Sequence, residues 1–171
     1  MGFLTTCPIC HKGFSDGRPY TGTSGVVFPL GHPLYQYCDA SLHFECLERW
    51  QDRGTFSKGY FEMKRRDFIS MGTLLAEEPG WILGYGPAPL NRTPYYVEID
   101  LEQWPCRLYS RWEDWENFCS GKYRDGLSGQ ALAAADYAVA AVVRIVPNMS
   151  ALVSARLNAL VGRSTQNSDR S

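Results

Sequence analysis

Two short strings set metal-ligating side chains at metal-ligating spacing: Cys7-Pro-Ile-Cys10 and, after 32 intervening residues, His43-Phe-Glu-Cys46. Together they read C-x2-C followed by H-x2-C, a set of four ligands for one tetrahedral zinc. Thiolate is a soft donor that zinc prefers, and two residues between cysteines let both sulfurs face one ion. An ion held by four protein groups has no open position for water or substrate. The expected cofactor is therefore one structural zinc on Cys7, Cys10, His43 and Cys46. Two residues compete for the fourth place. Cys38, five residues before His43, could replace it or lie beside the site as a buried thiol. His32, within Gly31-His32-Pro33, is the weaker rival.

Other chemistry is sparse. A nucleophilic thiol needs a positioned base, and the histidines are only His11, His32 and His43. Cys38 with His32 is the one thiol–imidazole pair to weigh. There is no glycine-rich phosphate loop and no HExxH string. The carboxylates Glu77, Glu78, Glu98, Asp100, Glu102, Glu113, Asp114 and Glu116 are scattered and read as a solvated face. No catalytic residue is assigned, and a non-enzyme is the favoured expectation.

Composition bounds the partners. The 171 residues are 44% hydrophobic and 20% charged, with a formal net charge of −1, which is ordinary for a globular chain. That balance argues against a nucleic-acid partner. The run Lys64-Arg65-Arg66 is flanked by Glu62 and Asp67 and reads as a solvated helix face. The most apolar stretch, Ala131 to Val146, contains Asp136 and Arg144 and is too short to span a bilayer, so no membrane partner is expected. The N-terminal residues lack the basic and apolar regions of a secretory signal. Met1-Gly2 with Thr6 formally fits an acylation pattern, but no polybasic segment accompanies it. The six cysteines are therefore read as thiols of a cytoplasmic protein, with Cys106 and Cys119 buried in its core.

The elements that would position these residues follow from periodicity. The first 37 residues are rich in glycine and proline and cannot form a long helix; Val26-Val27-Phe28 is a candidate short strand. His43, Cys46, Leu47 and Trp50 share one helical face, which predicts a helix over 41–52 capped by Ser41 or Asp39 and ended by Gly54. A second helix is predicted over 57–71. Strands follow at Thr73 to Glu77, Trp81 to Tyr85, Tyr95 to Leu101 and Trp104 onward, with a loop over Gly86 to Thr93. With Glu102-Gln103 as a two-residue turn, Leu101 faces Trp104, Ile99 faces Cys106 and Val97 faces Leu108. On the other face Glu98 meets Arg107 and Tyr96 meets Tyr109. Trp112 to Ser120 predicts a short helix, 128–146 an alanine-rich one broken by Pro147, and Met149 onward a last one. The expected fold is α+β: an antiparallel four-stranded sheet with flanking helices and a zinc-stapled N-terminal lobe. Its expected division is a zinc lobe at 1–54, a helix, sheet and short helix at 55–125, C-terminal helices at 126–162 and a disordered tail at 163–171.

The strings Cys7-Pro-Ile-Cys10 and His43-Phe-Glu-Cys46-Leu47-Glu-Arg-Trp50 resemble the opening knuckle and the H-x2-C-L-x2-W segment of RING fingers. The resemblance covers residues 7–50 and implies that Cys7, Cys10, His43 and Cys46 form a first zinc site of treble-clef type. It aligns Trp50 with a tryptophan that, in ubiquitin ligases, helps form the groove for the conjugating enzyme. A RING carries a second zinc site, closed by a C-P-x-C pair; residues 51–70 contain neither cysteine nor histidine. The chain thus resembles half a RING with a single zinc. The same string is similar to the first module of a LIM domain, with a longer spacer.

The expected function is a non-catalytic zinc-binding protein that binds another protein, with a degenerate RING-type ubiquitin ligase or adaptor as the alternative. The candidate partner residues are Tyr96, Tyr109 and Arg111, on the sheet face away from Val97, Ile99 and Leu108. Tyrosine and arginine together suit protein contacts. The competing expectation is that the C-terminal helices cover that face.

Overall fold

The structure is a computed structural model that describes residues 6–23, 25–86, 96–127, 129–155 and 158. In chain order the described elements are β1 (Tyr20–Gly22), β2 (Ser41–His43), α1 (Phe44–Arg49), α2 (Arg53–Met71), β3 (Leu74–Glu78), β4 (Trp81–Tyr85), β5 (Val97–Leu101), β6 (Trp104–Ser110), α3 (Trp115–Cys119), α4 (Gly129–Ile145) and α5 (Met149–Ala155). The fold is α+β. A four-stranded antiparallel sheet runs in the order β3-β4-β5-β6, and β1 pairs with β2 in a separate ribbon. The expected loop over Gly86 to Thr93 and tail at 163–171 lie outside the described residues, apart from Gly86. No single described helix is long and apolar enough to cross a membrane.

The sheet begins with a hairpin written in the sequence. Glu78 pairs with Trp81 across Pro79-Gly80. Proline presets the first turn dihedral, and Gly80 takes a φ of 94° that a side chain would resist. All five residues of β4 and of β5 are buried, because each face of the sheet is covered by a helix. On one face α4 lays down the small residues Ala131, Ala135 and Ala138 with Val139 and Val142, in one core with Ile99, Leu101 and Leu108. Cys7, Leu42 and Leu47 of the first lobe join that same core.

The other face is covered by α2, not by the C-terminal helices as one expectation had it. Phe61 and Phe68 of α2 pack with Ile82. Gly84 permits this approach, since a Cβ there would stand 2.6 Å from the Phe68 ring. The helix is longer than its periodicity predicts: it starts at Arg53, so Gly54 lies in its first turn and ends nothing. It stops at Gly72, which adopts the left-handed conformation with φ 67°. Correspondingly α1 is only six residues long. Ser41 belongs to β2, Asp39 sits at a left-handed turn with φ 51°, and neither caps the helix. Val26 to Phe28 forms no strand.

The β5–β6 register differs from the expected one beyond the turn. Leu101 does face Trp104 across Glu102-Gln103. An irregularity then lets Pro105 and Cys106 loop past, so Asp100 faces Arg107, Ile99 faces Leu108, Glu98 faces Tyr109 and Val97 faces Ser110. Pro105 has no N–H to give to a ladder, and a bulge is where such a residue is tolerated. The shift is by two residues, so the alternation of faces survives. Glu98 and Arg107 are diagonal neighbours, with Nε 3.8 Å from Oε1, rather than direct partners.

Candidate metal centre and adjoining cleft

The knuckle is a tight backbone turn. The Cys7 N–H donates to the Lys12 carbonyl at 2.9 Å and the His11 N–H to the Cys7 carbonyl at 2.7 Å. His11 pays for the turn with a left-handed φ of 58°. The second half-site forms where β2 runs into α1. His43 is the N-cap residue of α1 with extended backbone, and Cys46 follows in the first turn. Pairing of His43 with Tyr20 and of Leu42 with Thr21 holds this junction against the knuckle.

These two pieces bring Cys7, Cys10, His43 and Cys46 together, with their ligand atoms all within 4.8 Å of one another. Cys10 Sγ lies 3.5 Å from His43 Nδ1. Bond lengths of about 2.3 Å to sulfur and 2.0–2.1 Å to nitrogen, at tetrahedral angles, give an S···N edge of roughly 3.6 Å. The four residues therefore fit one tetrahedral metal ion, with Nδ1 as the imidazole donor. Cys7 and His43 are fully buried, and Cys10 and Cys46 are partly so.

Cys38 and His32 are not in the cluster. The Cys38 thiol is directed at the Leu34 carbonyl, 3.9 Å away. His32 stacks on Phe28 and accepts the Leu34 N–H through Nδ1 at 3.1 Å. Both belong to the loop that precedes β2, so the alternative ligand Cys38 is set aside.

The surroundings of the cluster favour a cation. Burial opposes ionisation of Cys10, yet hydrogen bonds from the Lys12 backbone and from Cys46, His43 and Cys7 bring its pKa down to about 6. Burial and the neighbouring Cys10 and Cys7 push Cys46 up to about 12. Crowded thiols thus resist full deprotonation until a divalent ion compensates their charge. Beyond the ligands, His43 Nε2 faces Asp16 Oδ1 at 3.9 Å, and the Phe14 ring packs on the imidazole with centroids 4.7 Å apart. Arg18 holds Asp16 through a 2.7 Å bond to Oδ2, which lowers the carboxyl pKa. At 3.9 Å the carboxylate makes no hydrogen bond to the imidazole, whose Nε2 is buried without a hydrogen-bond partner among the described residues, so Asp16 places negative charge beside the ring without fixing its orientation. Asp16 gave no spacing signal in the sequence, because its role depends on where the knuckle folds back.

The candidate partner residues also lie together. Tyr96, Tyr109 and Arg111 line a cleft of about 910 Å³, whose other walls include Tyr20, Phe44 and Phe118. Tyr109 is 67% exposed and Tyr20 55% exposed. Tyr20 and Phe118 were missed as cleft residues, since β1 has no periodicity over three residues and α3 reads only as core. Comparison with protein families, characterised proteins and solved structures found no significant match to this chain.

Proposed function

We propose that this is a non-catalytic, cytoplasmic zinc-binding protein that works as a protein-interaction module. The observation that supports it most is the closed Cys3His cluster, with four ligand atoms within 4.8 Å. Three thiolates and one imidazole are a donor set that suits zinc, and four protein ligands leave no site for a substrate. Zinc here would hold the knuckle to the β2–α1 junction in a treble-clef arrangement, and so shape the wall of the cleft that Tyr20 and Phe44 supply. None of the six cysteines is paired in a disulfide, which fits a reducing compartment.

A ubiquitin-ligase reading is less favoured by the surroundings of Trp50. Its ring packs against Tyr37 and Phe56, with centroids 4.3 Å and 5.4 Å away, so it is engaged within the fold. A photo-crosslinking residue at Tyr109 tests the interaction reading in cells. We expect discrete crosslinked protein species from this position, none from Lys58 on the outside of α2, and loss of the species with Cys46→Ser. Equal crosslinking from both positions would sink the proposal, as would ubiquitin transfer in a reconstituted assay.

A further inference from the structure

We propose that Arg18 is a positioning residue of the metal centre: its Nη2–H group donates to the Cys10 thiolate once zinc is bound, and so steadies the ion and shields that sulfur. The inference rests on the zinc reading above and names a residue that tunes its ligands. Arg18 is placed by the junction that carries two of those ligands. Tyr20, two residues on, pairs with His43, and the Phe44 N–H donates to the Pro19 carbonyl at 3.1 Å. Asp16 turns the chain just before: its Oδ1 accepts the Arg18 backbone N–H at 3.2 Å and its Oδ2 the Nε–H at 2.7 Å. One edge of the planar guanidinium is thereby fixed, and the side chain is only 24% exposed. The Nη2 atom is left buried with no hydrogen-bond partner among the described residues. An unpaired buried donor on a cation is costly, so an acceptor belongs beside it.

The Cys10 sulfur is that acceptor. Asp16 first, and then Cys10, hold Arg18 charged against its burial, which puts the sulfur beside the guanidinium. Cys10 is only partly buried, whereas Cys7 is fully so. Three thiolates and a neutral imidazole leave a zinc site negative by one charge. Asp16 adds a further negative charge on the His43 side. A guanidinium is a rigid fork that can serve two anions at once, here Asp16 through Nε and a thiolate through Nη2. An N–H···S bond draws charge off the sulfur. It favours the deprotonated ligand that zinc needs and blunts the attack of that sulfur on electrophiles.

The test compares the zinc-loaded full chain with its Arg18→Gln and Asp16→Asn variants. Zinc affinity is read by competition with a chelator. The rate at which iodoacetamide alkylates each cysteine is read by peptide mass spectrometry; the sulfur forms a bond to carbon and iodide leaves. Arg18→Gln should weaken zinc at least about tenfold, the usual loss for an outer partner of a metal ligand. It should speed alkylation of Cys10 by a similar factor and change Cys7 and Cys46 far less. Asp16→Asn keeps an oxygen to accept from Nε and leaves Nη2 in place, so both readouts should stay close to those of the unmodified chain. Arg18→Lys keeps the charge but lacks the fork; it should fall between, and it carries the test should Arg18→Gln not fold. Unchanged affinity and Cys10 labelling in the Arg18 variants overturn the inference while the metal centre stands. An equal rise in labelling at Cys7, Cys10 and Cys46 also overturns it, since that reports a general loosening. Losses in Asp16→Asn equal to those in Arg18→Gln overturn it in favour of the Asp16 charge. An unmodified chain that takes up no zinc overturns the metal reading and this inference together.

Discussion

Lys64 Nζ lies 2.8 Å from Oε1 of Glu98, in the layer between α2 and the sheet, where Glu98 is only 2% exposed. Arg107 approaches the same carboxylate at 3.8 Å, and Asp100, 1% exposed, stands two residues along the strand. Two cations and two carboxyl groups thus share the interior beneath α2. Charge buried without a partner is costly, so the pairing constrains which helix can lie on this face.

Removing one partner should expose that constraint. Lys64→Met leaves Glu98 with Arg107 alone and is expected to cost about 3–5 kcal/mol, the range for breaking a buried pair. Adding Glu98→Gln should recover much of the loss. Urea denaturation of the two single variants and the double variant measures the coupling. Strictly additive losses would show that the pair does not hold the layer together.

Asp100 makes stability depend on pH. Burial, then the Glu98 charge, raises its pKa well above the ordinary carboxyl value. The folded state therefore binds a proton that the unfolded state has released. That contribution is fully present below the unfolded pKa of about 4 and is lost as pH rises toward the folded pKa, at about 1.4 kcal/mol per pH unit inside that window. Asp100→Asn removes the ionisable group at nearly constant shape. Its stability relative to the unmodified chain should rise with pH from about 4 upward and be greatest on the alkaline side. A difference independent of pH, in urea midpoints taken with zinc present, would contradict this.

Metal content separates the ligands from their rivals. Elemental analysis after purification under reductant should find one zinc per chain, matching the single cluster among the described residues. Cys46→Ser should lose the metal and lower the melting temperature, since structural zinc binding is coupled to folding. Cys38→Ser and Cys119→Ser should keep it. Two zincs per chain, or loss of zinc with Cys38→Ser, would refute the ligand set.

The basic run is expected to bind no nucleic acid tightly near physiological salt. Lys64 is bound to Glu98, and Arg65 makes two bonds to Glu77, of 2.6 Å and 3.0 Å. Only Arg66 of the three is left for a phosphate. Sub-micromolar binding with a steep salt slope, read by anisotropy at several salt concentrations, would require several neutralised phosphates and contradict this.

Much of this was legible in the residues alone because it is local. The ligands Cys7, Cys10, His43 and Cys46 are legible because x2 spacing brings each pair to one ion whatever the rest of the chain does. Period two marks β5, Pro79-Gly80 marks the turn between β3 and β4, and the alanine-rich stripe marks α4. The tertiary structure decided what depends on distant partners. Pro105 moved the β5–β6 register by two residues, which alternation cannot detect because a shift of two preserves the faces. Spacing favours His43 but leaves Cys38 as a rival for the fourth place, and the pairing of β2 with β1 is what turns the imidazole toward the knuckle. The same holds for the covered face: nothing in the alternation of Glu98 and Asp100 says which helix will lie over them. The choice of α2 follows from Lys64 meeting Glu98 and from Gly84 leaving room for Phe68, contacts between residues far apart in the chain.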